Sequence, residues 1–370
     1  MINLVDLQRQ FQSIKNEVLK AIEHVYDSGQ YILGPKVNEL ETKIAGKLGV
    51  TDAIAVGNGT DALVMVLDAL DIGPGDEVIT TPFTFFASAE AISRVGATPV
   101  FADVDPETFN IDPVKIDAVI TGKTKAIIPV HLFGQPADMD EINELASNHG
   151  LYVIEDACQA FGATYKKKRV GSLADVACFS FFPTKNLGTI GDGGIITTSN
   201  HELALKLKKL RMHGSSKKYY HDTIGYNSRL DEIHAAILLV VLEKIDDWNE
   251  RRRACAKIYR EELNAVLGIT SPAEAADRTH IYHLFCAQSK ERDFYLNLLQ
   301  SNQIQAGVYY PQCLHLQEVY KNLSYQEGDF PVAEQLSQTL FAIPMHPFLY
   351  KEEQEKIISI LRTSSGGKKK

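Results

Sequence analysis

A chain of 370 residues with 45% hydrophobic content can bury a large core and has room for one big domain and a smaller one. Its formal net charge of -9 and sequence pI near 5.7 exclude a broad electrostatic attraction to nucleic acid or to an anionic membrane, so any anion-binding pocket must be local. The opening Met1-Ile2-Asn3-Leu4 lacks the basic and apolar regions of a signal peptide, and the apolar run from Ala235 to Leu242 is too short to cross a bilayer; a cytoplasmic protein is expected. Cys158, Cys178, Cys255, Cys286 and Cys313 are scattered and never form a C-x-x-C pair, which predicts reduced thiols and neither a disulfide framework nor a zinc knuckle.

Up to about residue 200 one rhythm repeats: a short β-branched run, a Gly/Asp/Pro turn, then a longer helical stretch. That rhythm predicts βαβ units. Strands are expected at 53–56, 77–80, 98–102, 126–130, 151–155, 177–181 and 194–198, several of them apolar on both faces, as strands covered by helices on two sides must be. Helices are expected at 61–70 and at 138–149, the second opened by Asp138 as a cap for its free N–H groups. From 230 to 266 the pattern becomes sustained helix, with Ile233, Ile237, Val240, Val241, Ile245 and Trp248 at three-to-four spacing. Such a helix can bridge two domains or two subunits. Shorter elements at 282–287, 293–302, 305–310, 335–341 and 351–361 suggest a small α+β domain. The division is therefore 1–245 for a large domain, 246–363 for a small one, and 364–370 for a flexible tail or expression scar.

Ligands of open parallel sheets collect beyond the carboxyl ends of the strands. At the first such exit, Gly57-Asn58-Gly59-Thr60-Asp61-Ala62 can bring backbone N–H groups and a helix N-terminus to a phosphate. It also matches the dinucleotide pattern G-x-G-x-x-A, but the acid that such a site needs at the end of the second strand is missing, since that strand ends Thr80-Thr81-Pro82. A plain turn with a helix cap remains an equal reading of this segment alone. At the second exit, Glu155-Asp156 follows an apolar strand, ordinarily a helix cap or a solvated acid. Against a pyridine ring such a carboxylate keeps the ring nitrogen protonated. At the third, Lys185 sits between Pro183 and Gly188 right after a buried strand. A partly desolvated amine there is easily deprotonated and ready to form an imine, although a lone loop lysine is more often a surface residue. The fourth carries Thr84-Phe85-Phe86-Ala87, where one aromatic ring can lie on a planar ligand instead of in the core.

Together a phosphate cradle, a pyridinium-pairing acid, an imine-forming lysine and a stacking aromatic are the parts of a pyridoxal-phosphate site. Two other patterns carry less. Thr121-Gly122-Lys123-Thr124 has Asp117 where a P-loop needs its first glycine, and reads as a turn. His280-Ile281-Tyr282-His283 has a spacing some metal pairs use, but no carboxylate or thiol stands nearby in sequence, so core or interface histidines are expected and no metal is assigned.

The chain resembles the DegT/DnrJ/StrS-type nucleotide-sugar aminotransferases, of the aspartate-aminotransferase fold class. The likeness rests on Tyr31-Ile-Leu-Gly34-Pro with Glu41, Gly59-Thr60-Asp61-Ala62-Leu63, Thr81-Pro-Phe-Thr-Phe85-Phe-Ala87 and His131-Leu-Phe-Gly134-Gln. It continues through Glu155-Asp156-Ala-Cys-Gln159, Ser180-Phe-Phe-Pro-Thr-Lys185, Gly225-Tyr-Asn227-Ser-Arg229-Leu-Asp231 and Tyr309-Tyr-Pro311 with His315. The resemblance implies a pyridoxal-phosphate transferase fold of type I: a large domain with a mostly parallel seven-stranded sheet between helices, and a smaller C-terminal α+β domain. It implies that Lys185 carries pyridoxal 5'-phosphate and shuttles protons, that Asp156 pairs with the ring nitrogen, that Gln159 approaches the phenolic oxygen and that Phe85 stacks on the ring. Gly59, Thr60 and Ser180 would hold the phosphate, with Asn227 reaching in from a partner, so a homodimer with shared sites is expected. Glutamate would be the amino donor, leaving 2-oxoglutarate, and a nucleotide-linked keto sugar the acceptor. Relatives that replace the lysine with histidine dehydrate sugars instead. The stretches 181–194 and 217–221 resemble the branch acting on 3-keto sugars more than the 4-keto branch. Arg229, Lys218, Tyr220, His221 and His315 are candidates for sugar, nucleotide or donor contacts, against an ion-pairing role for Arg229 and solvated loop roles for the rest. A nicotinamide-dependent oxidoreductase, a non-catalytic regulator and a pyridoxal-phosphate lyase or dehydratase are the rival readings.

Overall fold

The computed structural model describes residues 1–365; the expected tail beyond Ser365 lies outside the described residues. In chain order the strands are β1 (Asp52–Val56), β2 (Glu77–Thr80), β3 (Thr98–Phe101), β4 (Thr124–Ile127) and β5 (Tyr152–Asp156). A short hairpin, β6 (Thr164–Tyr165) with β7 (Lys168–Arg169), precedes β8 (Val176–Ser180) and β9 (Gly194–Thr198). All of the expected large-domain strands join one seven-stranded sheet in the order β1-β9-β8-β5-β4-β2-β3. Only β9 opposes its neighbours; every other pairing in the sheet is parallel. The expected strand at 126–130 stops short because Pro129 has no N–H to give the ladder. The chain nevertheless keeps its course, and Val130 still bridges Asp156.

Side-chain alternation splits the interior into two layers. Phe179 and Ile195 face a core that includes Val37, Leu40, Ile44, Ile237 and Val241. Cys178 and Ile196, their neighbours along the strands, face Leu63, Val66 and Leu207 on the other side. The first layer rests on α1 (Leu7–Ser28) and α2 (Pro35–Leu48), the second on α3 (Gly59–Ala69). The following helices are α4 (Ala87–Arg94), α5 (Pro113–Asp117), α6 (Met139–His149) and α7 (His201–Leu210). Asp138 does not cap α6 as expected. Its carboxylate instead receives the Arg278 guanidinium at 2.6 Å, and Asp140 and Glu141 supply the negative charge of the first turn.

The expected single helix over 230–266 is two helices, α8 (Glu232–Leu242) and α9 (Ile245–Leu263), broken at Glu243–Lys244. The acids Asp246 and Asp247 fit the start of a new helix, not the interior of an old one. At its start α9 gives Ile245 and Trp248 to the sheet-side core. Further along it gives Ala256, Tyr259 and Leu263 to a separate core built around Phe285, Phe341, Ile343 and Leu361. That second core holds the antiparallel pair β12 (Phe285–Gln288) and β13 (Leu340–Ile343), with α10 (Arg292–Ser301), α11 (Pro331–Thr339) and α12 (Lys351–Ser365) nearby in the chain. Ile2 also belongs to it and bridges Ile304, so the first residues of the chain close on its last third. Ser215–Lys217 and Tyr220–His221 form a further exposed hairpin, β10–β11.

One long-range cap explains the Gly34-Pro35 pair. α2 has no side-chain cap of its own, and the buried Glu232 carboxylate accepts from Lys36 N and Val37 N, both at 2.8 Å. A Cβ on Gly34 would lie 2.9 Å from that carboxylate and would push the capping group aside. Glu232→Ala is expected to destabilise the fold by about 2–3 kcal/mol, because one buried and one half-buried donor lose a charged acceptor. The check is the midpoint of urea unfolding, with Glu232→Gln expected to recover part of the loss.

Candidate active site

A cavity of about 870 Å³ lies at the carboxyl ends of the parallel strands. It is lined by Gly59 and Thr60 beyond β1, Phe85 beyond β2, Asp156 and Gln159 at the end of β5, and Ser180 and Lys185 at the end of β8. Four chain segments far apart in sequence thus meet as the strand-exit rule requires.

The Gly59 turn is tight for a reason. Asn58 caps α3 by accepting from Asp61 N at 2.8 Å, and Gly59 packs so closely that a Cβ would stand 2.9 Å from Ser180 Cβ and 3.0 Å from Cys158 Sγ. The start of an eleven-residue helix, the Thr60 side chain and Ser180 therefore share one corner suited to a phosphate. The dinucleotide alternative finds no support here. Glu77 sits at the start of β2 and accepts from the Thr121 hydroxyl, while Thr80 at the strand's end donates to Ile128 O at 3.0 Å.

Strand alternation separates the two adjacent acids of β5. Glu155 is fully buried and accepts from Gly171 N, Leu173 N and His131 Nε2. His131 Nδ1 accepts from Ala137 N, which fixes the tautomer with the proton on Nε2. Asp156 instead lines the cavity. Its Oδ2 accepts from the Ser88 hydroxyl at 2.7 Å and its Oδ1 from Cys158 N at 3.3 Å.

Lys185 stands on the loop after β8, which folds back so tightly that Lys185 N donates to Phe182 O and a Cβ on Gly188 would meet Pro183 O at 2.7 Å. The side chain reaches the cavity while protein surrounds it. Desolvation pushes its amine below the ordinary lysine value, opposed by the nearby Asp156 carboxylate. Burial also pushes the Cys158 thiol well up, leaving it a neutral neighbour. A lysine with a lowered pKa costs stability while protonated, and the cost fades as pH climbs from the folded value to the ordinary 10.5. In the cofactor-free protein, Lys185 is therefore expected to react with an amine-acylating reagent at a lower pH than the surface lysines. Peptide mapping across a pH series checks this; labelling in step with the surface lysines would show that the amine is not desolvated.

Gln159 is held by Phe133 N on its Oε1 at 2.9 Å and donates through Nε2 to the Tyr310 hydroxyl at 3.1 Å. The Phe85 and Tyr310 rings lie 6.4 Å apart at the cavity, and Phe85 is 56% exposed. Tyr310 and His283 are among the lining residues that had no assigned role in the sequence. Tyr310 lies in the quoted Tyr309-Tyr310-Pro311 stretch, and burial pushes its hydroxyl well up. His283 lines the cavity and is kept neutral by burial, then by Lys185 and Arg252; its Nδ1 has no hydrogen-bond partner. His280 behaves as expected of a core histidine, stacked on Tyr282 at 3.8 Å. Among the described residues no group of three or more His, Cys, Asp or Glu is placed to hold a metal ion, and every cysteine is free.

The remaining expected residues do not line this chain's cavity. Asn227 is exposed, beside Ser228, which is buried and donates to Asp61. Lys218, Tyr220 and His221 lie on or beside the exposed β10–β11 hairpin, where His221 Nδ1 donates to His213 O. Arg229 is half-buried. His315 is placed differently from a ligand contact: it is buried against Phe330 with Nε2 at 3.1 Å from Glu334, and that carboxylate also accepts from Gly328 N and Phe330 N. Those bonds tie a turn of the C-terminal region.

The model of the DegT/DnrJ/EryC1/StrS aminotransferase family matches residues 12–362. A relative from Geobacillus stearothermophilus, described as a pleiotropic regulatory protein, is 48% identical over 359 residues, covering 96% of each chain. A UDP-N-acetyl-3-dehydro-alpha-D-glucosamine 3-aminotransferase from Acidithiobacillus ferrooxidans is 44% identical over 366 residues, 99% of this chain and 98% of the relative. The crystal structure of DesV from Streptomyces venezuelae in complex with a ketimine intermediate superposes with a TM-score of 0.97 at 40% identity, covering 99% of this chain and 98% of the other. With a strand-exit cavity that brings a desolvated lysine, an aspartate and a glycine-walled helix start together, the chain belongs to the DegT/DnrJ/EryC1/StrS aminotransferase family.

Proposed function

We propose that this protein moves an amino group from L-glutamate to a nucleotide-linked 3-keto sugar, as a cytoplasmic homodimer using pyridoxal 5'-phosphate. The observation that carries the reading is the desolvated Lys185 amine sharing one cavity with the Asp156 carboxylate. Aminotransferases of this family use pyridoxal phosphate, and the residues here fit it. Gly59, Thr60 and Ser180 suit its phosphate, Asp156 its ring nitrogen, Gln159 Nε2 its phenolic oxygen and Phe85 its face. Bound there, the cofactor supplies an electron sink for the carbanion at the donor's alpha carbon. The protein's part is proton handling and orientation. Lys185 Nζ, whose desolvation favours the neutral amine, takes the alpha proton from the donor and returns a proton to the acceptor carbon in the second half of the cycle.

The 3-keto preference draws on the Acidithiobacillus relative, whose description names a 3-aminotransferase. The dimer draws on Asn227, which is presented outward beside a buried, anchored Ser228 and so can complete a partner's phosphate site. Exposed Phe182, Ile190, Tyr31 and Ile32 offer apolar surface for such an interface. Among the described residues no helix is long and apolar enough to cross a membrane. The regulatory description of the Geobacillus relative is not carried over, because a chain without catalysis has no use for a lysine and an acid facing one cavity.

The test loads the enzyme with glutamate and follows loss of the violet-edge absorbance, then offers 3-keto and 4-keto nucleotide sugars separately. Return of the band with the 3-keto sugar and release of an amino sugar is expected. Faster return with the 4-keto sugar would replace the proposed specificity, and a deoxygenated product without an amino group would establish the dehydratase.

A further inference from the structure

We propose that Ser88, backed by Thr84, is the positioning residue that aims the Asp156 carboxylate into the cavity. This inference rests on the ring-nitrogen role proposed for Asp156. Ser88 occupies the first turn of α4, immediately after the aromatic exit of β2, and is 1% exposed. Its Oγ lies 2.7 Å from Asp156 Oδ2 and 3.2 Å from Thr84 Oγ1. An ionised carboxylate only accepts, so the single Ser88 proton goes to Asp156; Thr84 must then donate to Ser88. The result is a directed chain, Thr84 O–H to Ser88 O–H to Asp156, in a buried setting where each bond polarises the next.

With Oδ2 held by Ser88 and Oδ1 receiving Cys158 N at 3.3 Å, rotation of the Asp156 carboxylate about its last bond is blocked. A carboxylate held in that orientation keeps its negative charge against a pyridine nitrogen facing it. Phe85 and Ser88 lie on one short segment that starts α4, so the residue proposed to cover the ring face and the residue that aims its counter-charge move together.

The test uses holoenzyme reconstituted with pyridoxal phosphate labelled with ¹⁵N in the ring, read by NMR, together with the rate of the glutamate half-reaction. Ser88→Ala is expected to move the ring-nitrogen signal toward the unprotonated position and to slow the half-reaction by about 10- to 100-fold, the range for a lost hydrogen bond to a charged group. Ser88→Thr keeps the hydroxyl and should restore both. Thr84→Val should shift the signal the same way by a smaller amount. A ring-nitrogen signal at the wild-type position in Ser88→Ala overturns the proposal even if the rate falls, since lost packing alone would slow the enzyme without moving that signal. Should Ser88→Ala not retain cofactor, an unmoved signal in Thr84→Val overturns it equally. Asp156→Asn separates the two ideas: if it also leaves the signal in place, the role of Asp156 itself is wrong.

Discussion

Lys185→Ala is expected to lower steady-state turnover by about 10⁴-fold or more, since in the proposed mechanism one side chain would both carry the cofactor and move the protons. The structure explains why no neighbour can take over. Cys158 is held protonated by burial. His283 is neutral, but its Nδ1 is buried and its ring is fixed on a segment whose backbone pairs with the Phe133 turn, His283 N donating to Phe133 O at 2.7 Å. Partial recovery with small added primary amines would identify the missing group as the amine. Turnover by the variant at the wild-type rate would remove the whole catalytic reading.

Asp156→Asn is expected to slow the donor half-reaction by roughly a thousandfold while leaving the fold intact. The amide keeps the size of the side chain and can still accept from Ser88, but it cannot hold a positive charge on a ring nitrogen. A unit-charge pair in contact inside a protein is worth about 4 kcal/mol at the effective dielectric that reproduces measured sites, which is about a factor of a thousand in rate. Single-turnover absorbance with glutamate measures it. A rate within tenfold of wild type would mean that the carboxylate serves position alone.

Much of this site was legible in the sequence because strand exits are local. Lys185, Asp156, Gly59, Thr60, Phe85, Gln159 and Ser180 each lie at or just beyond the end of a short apolar run, and parallel topology brings such ends to one edge. Ser88 was not legible. It lies one residue past the aromatic exit, inside a helix, and its partner is 68 residues away. His283 carried a visible signal, the paired histidines, but spacing alone gives no means of telling which of the two faces the cavity. His315, a polar residue in a suggestive stretch, is buried beside Glu334, a placement its sequence context did not reveal.

The amino-acid sequence by itself determined the order of strands and helices along the large sheet and singled out Lys185 and the Glu155-Asp156 pair as candidates. Periodicity and turn chemistry act within a few residues of each other, and both are written directly in the chain. Only the tertiary structure decided where α8 ends and α9 begins, which acid of the Glu155-Asp156 pair turns to the cavity, and that Glu232 caps a helix some 195 residues earlier. It also decided the desolvation that lowers the Lys185 pKa. Each of these depends on contacts between segments distant in sequence, and burial, the quantity that sets their energies, exists only once those segments have packed.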